Sequence, residues 1–251
     1  MRAPTATELI TSMLAGEKQS LAELISLIEN DSRYLPEIME KLRPHLGKAY
    51  CIGVTGPPGA GKSTLVDKLT KMVRGKGLSV GIIAVDPSSP ISGGAVLGDR
   101  IRMQQHYLDE GVFIRSMASR GCYGGLSEAV APTVQILDAF GKDIIIVETI
   151  GVGQTELGIR EVAHVVVLVL VPGYGDSIQL MKAGLLEVAD IIVVNKADLK
   201  GAEELVSELR TTLMPSTGGL ERTIVATQAI NNIGIEELYR QIDKRRERLI
   251  K

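Results

Sequence analysis

A glycine-rich segment near residue 56 limits most strongly what this chain can fold into. Its sequence, Gly56-Pro57-Pro58-Gly59-Ala60-Gly61-Lys62-Ser63, fits the pattern G-x-x-x-x-G-K-[ST]. That pattern binds nucleotide phosphates where it joins a strand to a helix. An apolar run at residues 50–55 precedes the segment, and a helical pattern at residues 64–74 follows it. The context therefore predicts an α/β domain built around a phosphate-binding loop (the P-loop, residues 56–63).

Short apolar runs recur along the chain after this first one. They are rich in β-branched residues, which is typical of strands covered on both faces, and occupy residues 80–85, 112–115, 144–147, 165–170, 191–194 and 223–226. Helical patterns separate most of them, at residues 101–109, 126–140, 177–188, 203–213 and 235–248. This alternation predicts a doubly wound, mostly parallel sheet.

The character of the chain changes near Ala49. Before it, apolar residues recur at helical spacing, as in Leu21, Leu24 and Ile28, with charged residues between them. We therefore predict a helical appendage at residues 1–48 and a P-loop domain at residues 49–251. No catalytic pattern occurs in the first part.

Charge and hydropathy exclude several classes of partner. The formal net charge is −2, which gives no general attraction to nucleic acid or to an anionic membrane. The apolar runs are too short to span a bilayer, and the start of the sequence has no apolar signal core. Cys51 and Cys122 lack metal-ligand spacing and are predicted to be small buried residues. These features predict a cytoplasmic protein.

The chemistry of the P-loop assigns roles to its residues. Backbone N–H groups of the glycine-rich turn, together with the helix that begins near Lys62, attract phosphate. Lys62 is predicted to reach the β- and γ-phosphates, Ser63 to ligate Mg²⁺, and Thr64 to donate to the α-phosphate. Gly151 is predicted to offer a backbone N–H to the γ-phosphate.

Three carboxylates are candidates for the neighbourhood of the metal. Asp86 and Glu148 end predicted strands, and Asp99 lies in a glycine-rich segment after the first of these. Because carboxyl ends of parallel strands share one edge of a sheet, these groups are expected to meet one Mg²⁺. Gln154 is a candidate for orienting the attacking water, although a polar loop residue without a role fits equally well.

A second motif follows the run at residues 191–194. In Asn195-Lys196-Ala197-Asp198, Asp198 can accept hydrogen bonds from guanine N1–H and the 2-amino group, which adenine lacks. Asn195 can bind the acceptor edge of the base, and the Lys196 stem can cover its face. A second base loop is predicted at Thr227, Gln228 and Ala229, where Gln228 replaces the usual small residue. The nucleotide is therefore predicted to be GTP or GDP.

Taken together, these motifs resemble the MeaB/ArgK family of SIMIBI-class G proteins. The resemblance covers nearly the whole chain and rests on residues 56–64, 84–89, 93–103, 115–121, 124–127, 147–156 and 194–198. It implies a Mg²⁺-dependent GTPase that serves as a chaperone of an adenosylcobalamin-dependent acyl-CoA mutase, gates cofactor loading and protects the mutase.

The resemblance also implies roles for particular residues. It makes Asp99 and Glu148 the magnesium and switch carboxylates and Asp86 an acidic residue near a metal-bound water. It places Lys182 in a mobile segment that couples the nucleotide state to the mutase. Family members form homodimers through a C-terminal helical arm. Because the last residue, Lys251, comes just after the last predicted helix, the mode of dimerisation stays open.

Two other functions fit the same fold. A metallochaperone GTPase of the nickel-insertion type requires clustered soft or imidazole ligands, whereas His45, His106 and His164 are scattered in the sequence and are predicted to be surface or packing residues. A kinase acting on a transport-binding protein requires an acceptor-binding lid, and no insertion of that kind is visible.

Overall fold

A parallel β-sheet forms the centre of the molecule. The computed structural model describes residues 4–86, 103, 105–119, 126–151, 158–173, 185–213 and 222–250. Within them the strands are β1 (Tyr50–Thr55), β2 (Val80–Asp86), β3 (Val112–Ala118), β4 (Ile144–Glu148), β5 (Val165–Leu170), β6 (Ile191–Val194) and β7 (Thr223–Ala226). Their order is β3-β2-β4-β1-β5-β6-β7, and each neighbouring pair in this order is parallel. The predicted α/β fold is confirmed.

Strand β1 lies near the middle of the sheet, between β4 and β5. Val54 is in register with Glu148 on one side and with Val167 on the other. The strand is buried along its whole length, so the loop that follows it begins deep in the molecule. Because the sheet order reverses direction at β1, its carboxyl end opens the crevice in which ligands of such sheets bind.

Helices cover both faces of the sheet. Their bounds are α1 (Ala6–Leu14), α2 (Lys18–Asn30), α3 (Leu35–Leu42), α4 (Lys62–Gly75), α5 (Val130–Ala139), α6 (Ile159–Val162), α7 (Leu185–Val188), α8 (Ala202–Thr212) and α9 (Ile235–Ile250). On one face, α4 and α9 share a buried apolar cluster with β1, β2 and β6. On the other, α1, α2, α3 and α5 pack on β2 and β4. This is the predicted doubly wound arrangement.

The first three helices share a core with the sheet. Met13, Leu24 and Ile38 are fully buried in the same cluster as Ile83 of β2. Arg115 of β3 also forms an ion pair with Glu29 of α2. The division of the chain into an appendage and a P-loop domain at residue 48 therefore stays a prediction, because the apolar core is continuous across that position.

Most predicted elements are confirmed where the structure describes them, with one clear exception; of the helix predicted at residues 177–188, only residues 185–188 are described. The strand predicted at residues 112–115 extends to Ala118, and its neighbour extends to Asp86. The α-helix predicted at residues 101–109 is wrong over residues 105–109, which form a short 3₁₀ segment followed by a turn. His106 O accepts from Asp109 N, and Asp109 O accepts from Val112 N, so the chain turns directly into β3.

Within the described ranges no helix is both long and apolar enough to cross a membrane. Cys51 is buried, as predicted, and burial raises the pKa of its thiol to about 12. Cys122 lies outside the described residues.

Candidate functional site

The P-loop connects β1 to α4 at the carboxyl edge of the sheet, as predicted. Pro57 and Ala60 are buried, whereas Pro58 and Gly59 are exposed at its tip. Gly61 has a positive φ of 91°, and a Cβ there would lie 2.4 Å from Asn195 Nδ2. Glycine is therefore required at this position both by the backbone conformation and by the close approach of the base-binding strand.

Lys62 begins α4 and turns back over the loop. Its Nζ donates to the carbonyl oxygens of Gly56 at 2.7 Å and of Ile150 at 3.2 Å. The lysine side chain thereby links the P-loop to the residues that follow β4, and it is buried. The ammonium thus lies beside the loop that leads into the N-terminus of α4, and a helix N-terminus is a place where phosphate binds.

Gly151 lies directly against the P-loop. Its φ is 92°, and a Cβ would be 2.2 Å from Gly56 O and 2.6 Å from Lys62 Nζ. No residue with a side chain fits at that distance. The structure thus brings Gly151 next to Lys62, while its predicted contact with the γ-phosphate stays a prediction.

The magnesium candidates within the described residues lie close together. Ser63 Oγ donates to Glu148 Oε1 at 2.7 Å, and both side chains are buried. Asp86 is also buried and ends β2, two residues beyond Ala84, which is in register with Glu148. A hydroxyl and two carboxylates are oxygen donors of the kind that Mg²⁺ prefers. The chemistry of this donor set fits the predicted ion.

Asn195 joins the phosphate and base regions. Its Nδ2 donates to Ala60 O at 2.8 Å, and its Oδ1 accepts from Thr227 Oγ1 and Ala229 N, each at 3.0 Å. Since a primary amide carries two hydrogens, one remains for the acceptor edge of a base. Asn195 therefore holds three loops together, a structural role that its motif did not reveal.

The other base-site residues differ in their exposure. Asp198 is exposed at the carboxyl end of β6, as a residue that binds a nucleotide base requires. Lys196 has a φ of 55°, and its Nζ donates to Gly59 O at 3.0 Å across the P-loop tip. Gln228 Oε1 accepts from Asn231 Nδ2 at 3.1 Å, so its side chain bonds within its own loop.

Some predicted residues cannot be placed in this geometry. Asp99, Gln154 and Lys182 lie outside the described residues. Thr64 is half-buried in the first turn of α4, next to Ser63. The predictions for these four residues stay predictions.

Two polar contacts near the site escaped the sequence patterns. Thr149 Oγ1 donates to Thr55 Oγ1 at 3.0 Å and connects the ends of β4 and β1. Asp67, one turn after Ser63 in α4, contacts His106 and Gln105. The second contact had no local sequence signal, because the partners of Asp67 lie far away in sequence.

The three histidines lie in different parts of the described structure. His106 contacts Asp67, His164 Nδ1 accepts from Cys51 N at 2.8 Å, and His45 lies in a 3₁₀ turn after α3. Among the described residues no group of three or more His, Cys, Asp or Glu side chains could hold a metal ion.

Comparisons with known proteins agree with this geometry. The family described as methylmalonyl-CoA mutase-associated GTPase MeaB matches residues 21–251. A predicted GTPase of Pyrococcus abyssi is 53% identical over 245 residues, 96% of this chain and 76% of that protein. The GTPase ArgK of Escherichia coli is 34% identical over 248 residues, 95% of this chain and 75% of that protein. A crystal structure described as LAO/AO transport system kinase has a TM-score of 0.76 at 27% identity and covers 100% of this chain and 78% of that one.

Proposed function

We propose a function from one premise: the chain belongs to the MeaB family of methylmalonyl-CoA mutase-associated GTPases and is itself a GTPase. The proposal is that it hydrolyses GTP to GDP and phosphate as a chaperone of an adenosylcobalamin-dependent acyl-CoA mutase. In this role it gates loading of the cofactor and protects the mutase. A homodimer is part of the proposal, with its mode left open.

One observation carries most of this proposal. The Ser63–Glu148 hydrogen bond joins the first turn of α4 to the end of β4, and Lys62 Nζ also donates to Ile150 O. Two residues that contact the nucleotide in P-loop proteins are therefore bonded to the segment that leaves β4. A change at the γ-phosphate would alter these bonds and thus the path of that segment.

Magnesium fits the same residues. Ser63, Asp86 and Glu148 would hold Mg²⁺ directly or through water, and Asp99 is the fourth candidate from the sequence. When bound, the ion neutralises charge on the β- and γ-phosphates. Lys62 would exchange its carbonyl partners for phosphate oxygens, and the N–H of Gly151 would donate to the γ-phosphate.

Guanine selection is assigned to the carboxyl end of β6. Asp198 is exposed there and would accept from N1–H and the 2-amino group, while the second amide hydrogen of Asn195 would donate to the base. The Lys196 stem, tied to Gly59 O, crosses from the base loop to the P-loop and would cover the ring. These bonds join the base loop to the P-loop, so the two loops would hold the two ends of one nucleotide.

Hydrolysis by the isolated chain is expected to be slow, since no arginine is evidently placed as a finger in its sequence. The predicted coupling segment, which contains Lys182, would complete the site when the mutase docks. The test is GTP turnover measured with and without each adenosylcobalamin-dependent mutase of the same organism. We expect one mutase to change the turnover.

The control for this experiment is the Lys62→Ala chain with the same mutase, which removes any contribution from a contaminating GTPase. Phosphate release without a phosphorylated protein product would also separate the proposed function from that of a kinase. If no mutase alters the turnover, the chaperone proposal is wrong, whereas the assignment as a GTPase is unaffected.

A further inference from the structure

Two threonine hydroxyls meet where strands β1 and β4 end. Thr149 Oγ1 donates to Thr55 Oγ1 at 3.0 Å, and the two residues are 2% and 0% exposed. The paired residues of the two strands end at Val54 and Glu148. The hydroxyl bond therefore extends the connection between β1 and β4 by one residue on each strand.

Thr149 lies between two residues that contact the start of α4. Glu148 Oε1 accepts from Ser63 Oγ at 2.7 Å, and Ile150 O accepts from Lys62 Nζ at 3.2 Å. Because planar peptide units join Thr149 to both neighbours, a displacement of Thr149 would move both acceptors. The position of its hydroxyl is thus coupled to the contacts of the candidate site.

On the other strand, Thr55 directly precedes the P-loop. Gly56 O accepts from Lys62 Nζ at 2.7 Å, and a Cβ on Gly151 would lie only 2.2 Å from the same oxygen. The segments that leave β1 and β4 therefore stay close together, and the hydroxyl bond joins the two strands at the point where these segments begin.

The hydroxyl pair lies on the face of the sheet that is turned away from α4. Val54 belongs to the same apolar cluster as Leu65 of α4, whereas Val147 belongs to the cluster on the other face. Side chains alternate between the faces along a strand. Thr55 therefore points to the other face, together with Thr149, and the pair acts on the candidate site from behind the strands.

We propose that the Thr55–Thr149 hydroxyl bond positions Glu148 for GTP hydrolysis. It holds the end of β4 against the strand that leads into the P-loop, and so fixes the Glu148 carboxylate relative to Ser63. Both threonines are positioning residues, since they act through Glu148 rather than by touching nucleotide or metal. The inference rests on the magnesium role proposed above for Glu148 and assigns its support to two further side chains.

The test is a Mg²⁺ titration of single-turnover GTP hydrolysis by the isolated full chain and its Thr149→Val variant. Valine keeps the shape of threonine and lacks the hydroxyl. We expect the Mg²⁺ concentration at half-maximal rate to rise about tenfold, the size of effect that outer-shell partners have at metal sites. GDP affinity in EDTA should stay within about twofold, because the pair lies behind the strands. Thr149→Ser, which keeps the hydroxyl, should recover most of the wild-type response.

Thr55→Val removes the other partner of the same bond and should raise the Mg²⁺ requirement to a similar extent. In the double variant the rise should be no larger than in either single variant, because the two residues share one hydrogen bond and their effects are not additive. If Thr149→Val does not fold, Thr55→Val gives the same comparison with the wild type.

Thr133→Val is the matched control. Thr133 is also 0% exposed, and its hydroxyl donates to Ala129 O at 2.6 Å at the start of α5. This variant should lower the midpoint of urea unfolding, as Thr149→Val does, while its Mg²⁺ response equals that of the wild type. The control separates the loss of any buried hydroxyl bond from the loss of this one.

An unchanged Mg²⁺ requirement in both threonine variants would overturn the inference, and so would an equal loss of GDP affinity in EDTA. Glu148→Gln separates this failure from that of the proposed magnesium role. If Glu148→Gln has the wild-type Mg²⁺ response, the magnesium role is wrong and the inference with it. If Glu148→Gln is impaired and the threonine variants are not, only the inference is wrong. A missing response to the mutase contradicts only the chaperone function, because the titration uses the isolated chain.

Discussion

The two edges of the parallel sheet contain similar buried charged groups but bond them differently. At the amino-terminal edge these groups make their hydrogen bonds mainly with backbone atoms. Asp138 accepts from the N–H groups of Gly47, Lys48 and Ala49 at 2.5, 3.0 and 2.8 Å. Lys142 Nζ donates to Gly111 O at 2.9 Å, and Asp143 accepts from both the N–H and the hydroxyl of Ser79 at 2.7 Å.

At the carboxyl edge, several side chains contact one another across different elements. Ser63 bonds to Glu148, and Thr149 bonds to Thr55. Lys62 contacts carbonyls that a phosphate oxygen can replace. A buried charge that is held by backbone groups fixes the fold. A charge held by exchangeable partners, by contrast, is available for a ligand.

The largest expected effect follows from removing the lysine at the carboxyl edge. In Lys62→Ala, GTP hydrolysis should fall by roughly 100-fold or more, because the variant lacks the cation closest to the predicted phosphates. Its free energy of unfolding should change by only about 1 kcal/mol. Single-turnover hydrolysis and urea unfolding measure the two quantities.

The counterpart at the amino-terminal edge is Asp143→Asn. There we expect a loss of roughly 1 kcal/mol in unfolding free energy with GTP hydrolysis unchanged. A variant of this carboxylate that impaired hydrolysis as strongly as Lys62→Ala would remove the distinction between the edges.

At the base-binding residue Asp198 we expect an effect on the nucleotide that is smaller than that of Lys62→Ala and more selective. Asp198→Asn replaces one of the two acceptor oxygens by a donor, so GTP affinity should fall by about 2 kcal/mol, or roughly 30-fold. Stability should not change, because Asp198 is exposed. Calorimetry with GTP and ATP checks the result. Unchanged GTP affinity, or an equal change for ATP, would mean that Asp198 does not read guanine.

The smallest effect concerns Lys142. Burial, together with the nearby charges of Lys18 and Arg74, lowers the pKa of its ammonium from 10.5 to about 8. Between about pH 8 and 10.5, the unfolded chain therefore binds more protons than the folded one, and this group makes stability rise with pH. Below pH 8 the ammonium is charged in both states, and that gain is absent.

Lys142→Met is the variant that isolates this contribution, because the Cys51 thiol and the other titrating groups are common to both chains. The difference in unfolding free energy, wild type minus variant, should grow in favour of the wild type from pH 7 to pH 9.5. Curves that stay parallel over this range would show that Lys142 does not titrate as described.

Sequence patterns predicted the strands well and one connection poorly. Strands β1, β5, β6 and β7 have the predicted bounds because their apolar runs are continuous. The end of β3 was missed because Arg115 and Ser116 interrupt the apolar pattern. Arg115 is half-buried and pairs with Glu29 of α2, and its guanidinium also donates to Ser26 Oγ. A tertiary ion pair of this kind cannot be read from local spacing.

In the candidate site, too, local sequence patterns did not predict contacts between distant parts of the chain. The motifs and the order of strand ends predicted that Ser63 and Glu148 lie at one edge of the sheet, but not the hydrogen bond between them or the carbonyl partners of Lys62. Their roles toward phosphate and metal stay predictions. The partners of Asp67 could not be predicted, because the local pattern indicates a helix where Gln105 and His106 form a turn. One missed signal was local: Thr5 and Glu8 form a capping box that starts α1.

The bonds of Asn195 have a consequence for attempts to redesign this protein. Its amide ties the P-loop, the end of β6 and the loop after β7 into one unit, and Gly61 must lack a side chain to admit it. Exchanging the whole base-binding loop for one from an adenine-specific protein would therefore disturb the phosphate cradle as well. A change of purine preference is best sought at Asp198 alone, which stands outside that junction.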